Sequence, residues 1–370
     1  MKESRTASFT LTSPQRAGVS SDAQEPHDFR STTAKMAPTA PLSARPLYTS
    51  EQIHQFYDRI SLPQQHRHEP GEQTNNLIHD PDASLGFLAA LQRHCLASIP
   101  FENLALHYST HHTISLDPDH LFEKIIASPD GRGGYCMENN KLMYTILKTL
   151  GFDLVSSGAR VNEGGASGSS LPYDQCTYNG WSHMINIVTI PPRTGEKYFI
   201  DVGFGSGGPS LPIKLEHDKP VLNVAPSQTV RLRYDRIPEH TTSDDGQKLW
   251  IFEKKDQDAA EFRPMYCFLG TEFLPQDYEV MNLFTSQSRT MWFTRAVCCV
   301  KWLLSEDGEE VVGDLTMMQR HLKRKVGGKV ETVKEFQSEQ DRIDALKKYL
   351  GVTLNEAEKN GIKGMVSEIK

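Results

Sequence analysis

The run Arg132-Gly133-Gly134-Tyr135-Cys136-Met137-Glu138-Asn139-Asn140 constrains this chain more than any other stretch of its 370 residues. It sets one cysteine between a glycine-rich turn and the start of a helical pattern. Beyond Cys136, Leu142, Ile146 and Leu150 recur at a four-residue step with Met143 and Leu147 beside them, and Gly151 stands where a C-terminal cap belongs. Cys136 then falls in the first helical turn, where unpaired backbone N–H groups and the positive end of the dipole favour a thiolate. Gly131, Gly133 and Gly134 are expected to let the backbone approach closely and leave room above the sulfur. By itself the pattern also fits a buried, inert cysteine.

Two segments further on weigh against inertness. His183 lies in Trp181-Ser182-His183-Met184-Ile185-Asn186 and Asp201 in Asp201-Val202-Gly203-Phe204-Gly205. Met184–Ile190 and Tyr198–Val202 are rich in β-branched and apolar residues and flank the turn signal of residues 191–196, so they predict a β-hairpin. Folded at that turn, the hairpin brings Asp201 to within a few residues of His183. A carboxylate there can hold an imidazole in one tautomer, the role of the third member of a triad. Cys, His and Asp together are the inventory of a thiolate-nucleophile enzyme that forms a covalent intermediate.

These motifs, with Ile99-Pro100-Phe101-Glu102-Asn103-Leu104 before them, resemble those of the arylamine N-acetyltransferase family, and they occur in the family's order. The likeness runs from about Tyr57 to the C-terminal helix. It implies an α+β, multidomain fold: an N-terminal helical bundle carrying the cysteine, a central β-barrel carrying His and Asp, and a C-terminal α/β lid, with a cysteine-protease-like core. It implies ping-pong acyl transfer from an acyl-CoA co-substrate (acetyl-CoA or malonyl-CoA) to an arylamine, hydroxylamine or hydrazine. Cys136, His183 and Asp201 would be catalytic. Phe101 and Phe204 match positions that line the acceptor pocket. Gly180, Ser286, Ser288 and Arg289 match positions that contact the donor, and no metal is implied. Glu102, Arg59 and Arg132 match motif positions that read as a buried charge network, since buried charges must be paired. One departure stands out. Where the family carries Ser-Thr-Ser-Pro-x-Ser-x-Phe, this chain reads Ser286-Gln287-Ser288-Arg289-Thr290-Met291-Trp292-Phe293. A guanidinium near the acyl end of the donor suits a carboxylate, hence malonyl-CoA; the other reading of Arg289 is a surface residue or a contact to a CoA phosphate.

The expected domains are a disordered extension over 1–46, a helical domain over 47–155, a barrel over 156–284 and a lid over 285–370. The extension is rich in Ser, Thr, Pro and Ala, includes Met36 as a possible alternative start, and has no apolar core of a secretory signal. Residues 164–170 read as a flexible loop near the site. The third segment predicts strands over Phe293–Leu304 and Glu309–Thr316, then a helix over Thr332–Leu350. A net charge of −7 gives no support for nucleic-acid binding, and no apolar run reaches membrane-spanning length. The six cysteines lack disulfide-framework or zinc spacing, which points to a reducing, cytoplasmic setting. His107, His111 and His112 read as solvated loop residues rather than metal ligands. A transglutaminase-like or papain-like enzyme acting on protein amides shares the triad, and a binding protein that kept the fold is a further alternative.

Overall fold

The computed structural model describes residues 47–167 and 171–370, so the expected extension over 1–46 lies outside the described residues. Helices come first: α1 (Ser50–Arg59), α2 (Glu72–Ile78), α3 (Pro81–Ser98), α4 (Ala105–Tyr108), α5 (Pro118–Phe122) and α6 (Cys136–Thr149). Local chemistry sets their ends. Pro81 opens α3, and the Asp80 side chain accepts from the N–H groups of Asp82 and Ala83, both at 3.1 Å. Gly151, at φ +87°, turns the chain out of α6 in the left-handed conformation that a helix C-terminus favours. The apolar face of α6, including Leu142, Ile146 and Leu150, is buried in the helical core with Phe56, Phe87 and Phe122.

The middle of the chain forms an eight-stranded antiparallel sheet. Its strands are β2 (Asp153–Asn162), β3 (Tyr178–Ile190), β4 (Glu196–Ile200), β5 (Ile213–Lys214), β6 (Val221–Val224), β7 (Gln228–Asp235), β8 (Leu249–Asp256) and β9 (Arg263–Phe268). Their order is β5-β4-β3-β2-β9-β8-β7-β6. A bridge from His217, just past β5, to Leu232 in β7 brings the outer strands together, so the sheet is a near-closed barrel. Phe199, Phe252, Tyr266 and Phe268 fill its interior. The expected hairpin is present, with Asn186 opposite Ile200 and Ile190 opposite Glu196.

A second sheet has the order β1-β10-β11-β12-β13. It comprises β10 (Cys298–Leu304), β11 (Val311–Met318), β12 (His321–Val326) and β13 (Lys329–Glu335), and it borrows β1 (Phe101–Glu102) from the helical region. Glu102 therefore sits opposite Cys299. Helix α8 (Pro275–Gln287) runs across position 284/285 between the barrel and this sheet, and α9 (Glu339–Ala345) and α10 (Glu356–Gly361) follow it.

Several local expectations need correction. Trp292–Thr294 is a short helical turn, not strand, because Phe293 packs its ring on Tyr135 and Phe101. Residues 332–335 belong to β13, and the helix begins only at Glu339, where the Ser338 hydroxyl caps it. Glu163–Ser167 forms a one-turn helix, α7, where a loop was expected; residues 168–170 lie outside the described residues. His107 is buried, not solvated. Its ring contacts the Phe293 carbonyl at 3.0 Å and the Ser367 hydroxyl at 2.8 Å. Burial lowers its pKa to about 4, so it is neutral. Among the described residues, Arg59 meets no carboxylate. Its guanidinium is spent on the carbonyl oxygens of Ile125, Ser98 and Arg132, at 3.0, 2.8 and 3.2 Å. Glu102 and Arg132 do pair, with Nε 3.0 Å from Oε1.

Candidate active site

Cys136 is the first residue of α6 and is buried. The turn before it is tightened by Glu138, whose carboxylate accepts the Tyr135 N–H at 3.0 Å and pairs with Lys124 at 2.7 Å. The close backbone approach expected of the glycines in this turn is present. A Cβ at Gly133 would stand 1.9 Å from the Pro100 carbonyl oxygen, and one at Gly134 would collide with the Glu138 side chain. Their task is close packing of the turn against its neighbours.

The barrel supplies the other two groups. His183 is on β3 and Asp201 directly follows β4. His183 Nε2 lies 2.7 Å from Asp201 Oδ2, both side chains being buried. The ring's other nitrogen is left free of Asp201, and Cys136 acts on the same imidazole by helping to raise its pKa. The thiol also donates to the Ser182 carbonyl at 3.5 Å. All three residues picked out from sequence therefore converge.

Asp201 is saturated. Oδ2 also accepts the Tyr266 hydroxyl at 2.7 Å, while Oδ1 accepts Asn140 Nδ2 and the Gly203 N–H, both at 2.8 Å. Burial opposes ionisation of Asp201, but His183 and these donors outweigh it and hold the carboxyl below its usual range. Sequence reasoning gave Tyr266 no role, and nothing local signals it, because β9 reaches Asp201 only through barrel closure. Asn140 carried a weak signal: it stands one helical turn after Cys136 and so shares its face. It clamps helix to barrel, donating to the Met184 carbonyl at 2.7 Å while its Oδ1 accepts the Val202 N–H at 3.0 Å. Gly203 completes the fit, since a Cβ there would come within 2.8 Å of Cys136 Cα.

The imidazole is the electrostatic centre. Burial disfavours its charge, yet Asp201 and then Cys136 override burial and raise the His183 pKa to about 10. Its charge therefore contributes stability fully present below its ordinary value of 6.5 and lost as pH rises through about 10. Single-turnover transfer that uses this imidazolium is expected to show no inflection near pH 6.5 from His183 and to fall as pH rises through about 10. Rapid-mix kinetics from pH 6 to 10.5 checks this. An inflection near pH 6.5 that disappears in His183→Gln would contradict it.

The remaining sequence candidates lie in two places. Phe204 stacks edge-on against His183 at 5.3 Å, and Phe101 packs against the following turn, where its ring would meet a Cβ at Gly205. Gly180 is exposed and borders a cavity of about 470 Å3 with Trp181, Phe273, Val280 and Phe284. Ser286 spends its hydroxyl on the Asn282 carbonyl within α8, and Ser288 shares a hydrogen bond with Thr290. Arg289 is exposed. This segment is tied to the cysteine helix, because Tyr135 donates its hydroxyl to Asn282 and meets Phe293 edge-on.

The N-acetyltransferase family model matches residues 84–359. The chain belongs to the arylamine N-acetyltransferase family. It is thus an N-acyltransferase of a family that uses acyl-CoA donors. Among relatives, it is 38% identical over 324 residues to N-malonyltransferase FDB2 of Fusarium pseudograminearum, covering 86% of this chain and 93% of that one. It is 28% identical to an arylamine N-acetyltransferase of Mycolicibacterium smegmatis, covering 78% and 93%. The fold matches the arylamine N-acetyltransferase of Nocardia farcinica with a TM-score of 0.65 at 21% identity, covering 88% of this chain and 100% of that one. It matches the Mycobacterium marinum enzyme in complex with CoA with a TM-score of 0.64 at 22% identity, covering 86% and 99%. Among the described residues no group of three or more His, Cys, Asp or Glu could hold a metal ion, and no helix is long and apolar enough to cross a membrane.

Proposed function

We propose that this N-acyltransferase family member works by a ping-pong mechanism on Cys136 and takes its acyl group from malonyl-CoA. The observation that carries the mechanism is the buried His183–Asp201 pair at 2.7 Å, with Cys136 at the start of α6 raising the pKa of the same ring. The Cys136 thiolate attacks the thioester carbonyl. The carbon–sulfur bond to CoA breaks, and the departing thiolate takes the proton of the His183 imidazolium. An acyl-cysteine and a neutral imidazole remain. A small aromatic amine or hydrazine, uncharged at neutral pH, then attacks the acyl carbon. His183 takes the proton released from its nitrogen, and Cys136 leaves as thiolate. Asp201 stabilises the imidazolium and does not itself take the proton. Phe101 and Phe204 offer aromatic walls to such an acceptor.

Kinship to the N-malonyltransferases supports the donor, as does Arg289, which is exposed and has no ion pair among the described residues. Its guanidinium is available for a bidentate pair with the malonyl carboxylate. Gly180, Ser286 and Ser288 would lie along the rest of the donor. Six buried thiols, none in a disulfide, fit a reducing cytoplasmic setting, with neither nucleic acid nor membrane as partner. Steady-state kinetics with each donor on wild type and Arg289→Pro tests this reading. Wild type is expected to prefer malonyl-CoA by about tenfold or more in kcat/KM, with the preference shrinking in the variant. Acetyl-CoA as the better donor throughout would sink it.

A further inference from the structure

A cavity of about 780 Å3 opens on the barrel beside β7, β8 and β9, and none of the acyl-transfer residues lines it. Its lining carries Arg231, Arg233, Lys254 and Arg263 against Glu253, Asp256 and the exposed Glu261, a net excess of positive charge. Arg231 and Arg233 are satisfied, because both donate to the buried Glu253, at 2.8 and 2.9 Å. Asp256 Oδ1 is also satisfied, accepting from Gln228 at 2.9 Å and from Lys325 at 3.0 Å. That leaves Lys254 and Arg263. Each leans toward Asp256 Oδ2, at 3.9 and 3.8 Å, too far for a hydrogen bond. The Lys254 side chain is only 8% exposed, and Arg263 Nε is buried with no hydrogen-bond partner. Burial, with repulsion from Lys325 and Arg263, lowers the Lys254 pKa to about 8 against the pull of Asp256 and Asp314. Buried cations short of oxygen partners are costly unless a ligand supplies them.

We propose that this cavity is a binding site for a phosphate monoester, with the phosphate held by Lys254 and Arg263. Two under-coordinated cations on adjacent strands match a dianion better than a single charge. The volume is that of a site for a ligand of nucleotide size. Such a ligand would touch the acyl-transfer centre indirectly. Lys254 Nζ lies 2.8 Å from where a Cβ of Gly207 would stand, in the turn that carries Phe204 against His183.

A phosphate of this kind is found on a free nucleotide and at the nucleotide end of CoA, and calorimetry on the full chain can separate the two. Inorganic phosphate and adenosine 3′,5′-bisphosphate are titrated at fixed ionic strength into wild type, Lys254→Met and Arg263→Met. One-site saturable binding is expected, weakened about tenfold or more in each variant. A KM for acyl-CoA that rises in Lys254→Met with kcat unchanged assigns the site to the donor's nucleotide end. An unchanged KM assigns it to a separate phosphorylated ligand. No heat beyond that of matched chloride, or variants that bind like wild type, would overturn the proposal. If the variants do not fold, acetic anhydride labelling of wild type decides: phosphate is expected to protect Lys254 about fivefold relative to exposed Lys219. Equal labelling with and without phosphate would also overturn it. None of these outcomes depends on which acyl group Cys136 carries.

Discussion

Asp201→Asn is expected to slow acyl transfer by about 10³–10⁴-fold in kcat/KM while the protein still folds. Four donors converge on this carboxylate, from His183, Tyr266, Asn140 and the Gly203 backbone. An amide keeps one acceptor oxygen and turns an NH2 group toward two of those donors. Whichever way it flips, either His183 or the Asn140–Gly203 pair loses its acceptor. If His183 loses it, the imidazolium loses its counter-charge and the ring loses its orientation toward Cys136. If the other pair loses it, the clamp between α6 and β4 opens. Tyr266→Phe removes only one donor and leaves the charge, so its effect is expected to stay within about tenfold. Kinetics with a fixed donor and acceptor, run beside thermal melts, separates the two substitutions. A loss below tenfold in Asp201→Asn would show that the carboxylate does not orient the imidazole.

The second large effect falls on stability. Glu102 is fully buried where β1 joins the lid sheet to the helical region. Its carboxylate takes Arg132 Nε at 3.0 Å, the Leu104 N–H at 2.6 Å and the Gly133 N–H at 3.3 Å, with Lys124 at 3.9 Å. Arg132 in turn reaches Glu358 in α10, so one ion network ties the cysteine turn to the C-terminal part of the chain. Glu102→Gln keeps the shape but leaves Arg132 short of charge, and it is expected to cost about 3–5 kcal/mol. Burial opposes the Glu102 charge, but Arg132 and Lys124 prevail and lower its pKa. Its contribution is therefore present above the ordinary value of 4.5 and lost as pH falls through the lower folded value. Urea unfolding at pH 7 measures the cost. A midpoint within error of wild type would mean that the network adds nothing net.

The parts of the site legible in sequence were those written locally. A glycine turn followed by an apolar face at four-residue spacing marks α6, and a Pro-Pro turn between β-branched runs marks the hairpin that joins His183 to Asp201. What was hidden depends on distant contacts or on strands without an apolar face. Strands β12 and β13 are mostly exposed and read Lys-Arg-Lys and Val-Glu-Thr-Val-Lys, so no period-two pattern announces them. The two residues of β1 are too short to declare themselves as strand, although they join the two regions. Arg59 looked like an ion-pair partner because of its charge, but three carbonyl oxygens satisfy it more cheaply than a second buried carboxylate would. Tyr266 resembles any core aromatic of the barrel until closure places its hydroxyl on Asp201.

The central claim is that Cys136 carries the acyl group, and intact mass spectrometry tests it most directly. The full chain is mixed with malonyl-CoA, and separately with acetyl-CoA, without any amine, beside Cys136→Ala. One acyl group per chain is expected on wild type, more completely from malonyl-CoA, removed by adding an arylamine and absent from the variant. A folded wild type that stays unmodified by both donors, or a variant that acquires the same mass, would contradict the account.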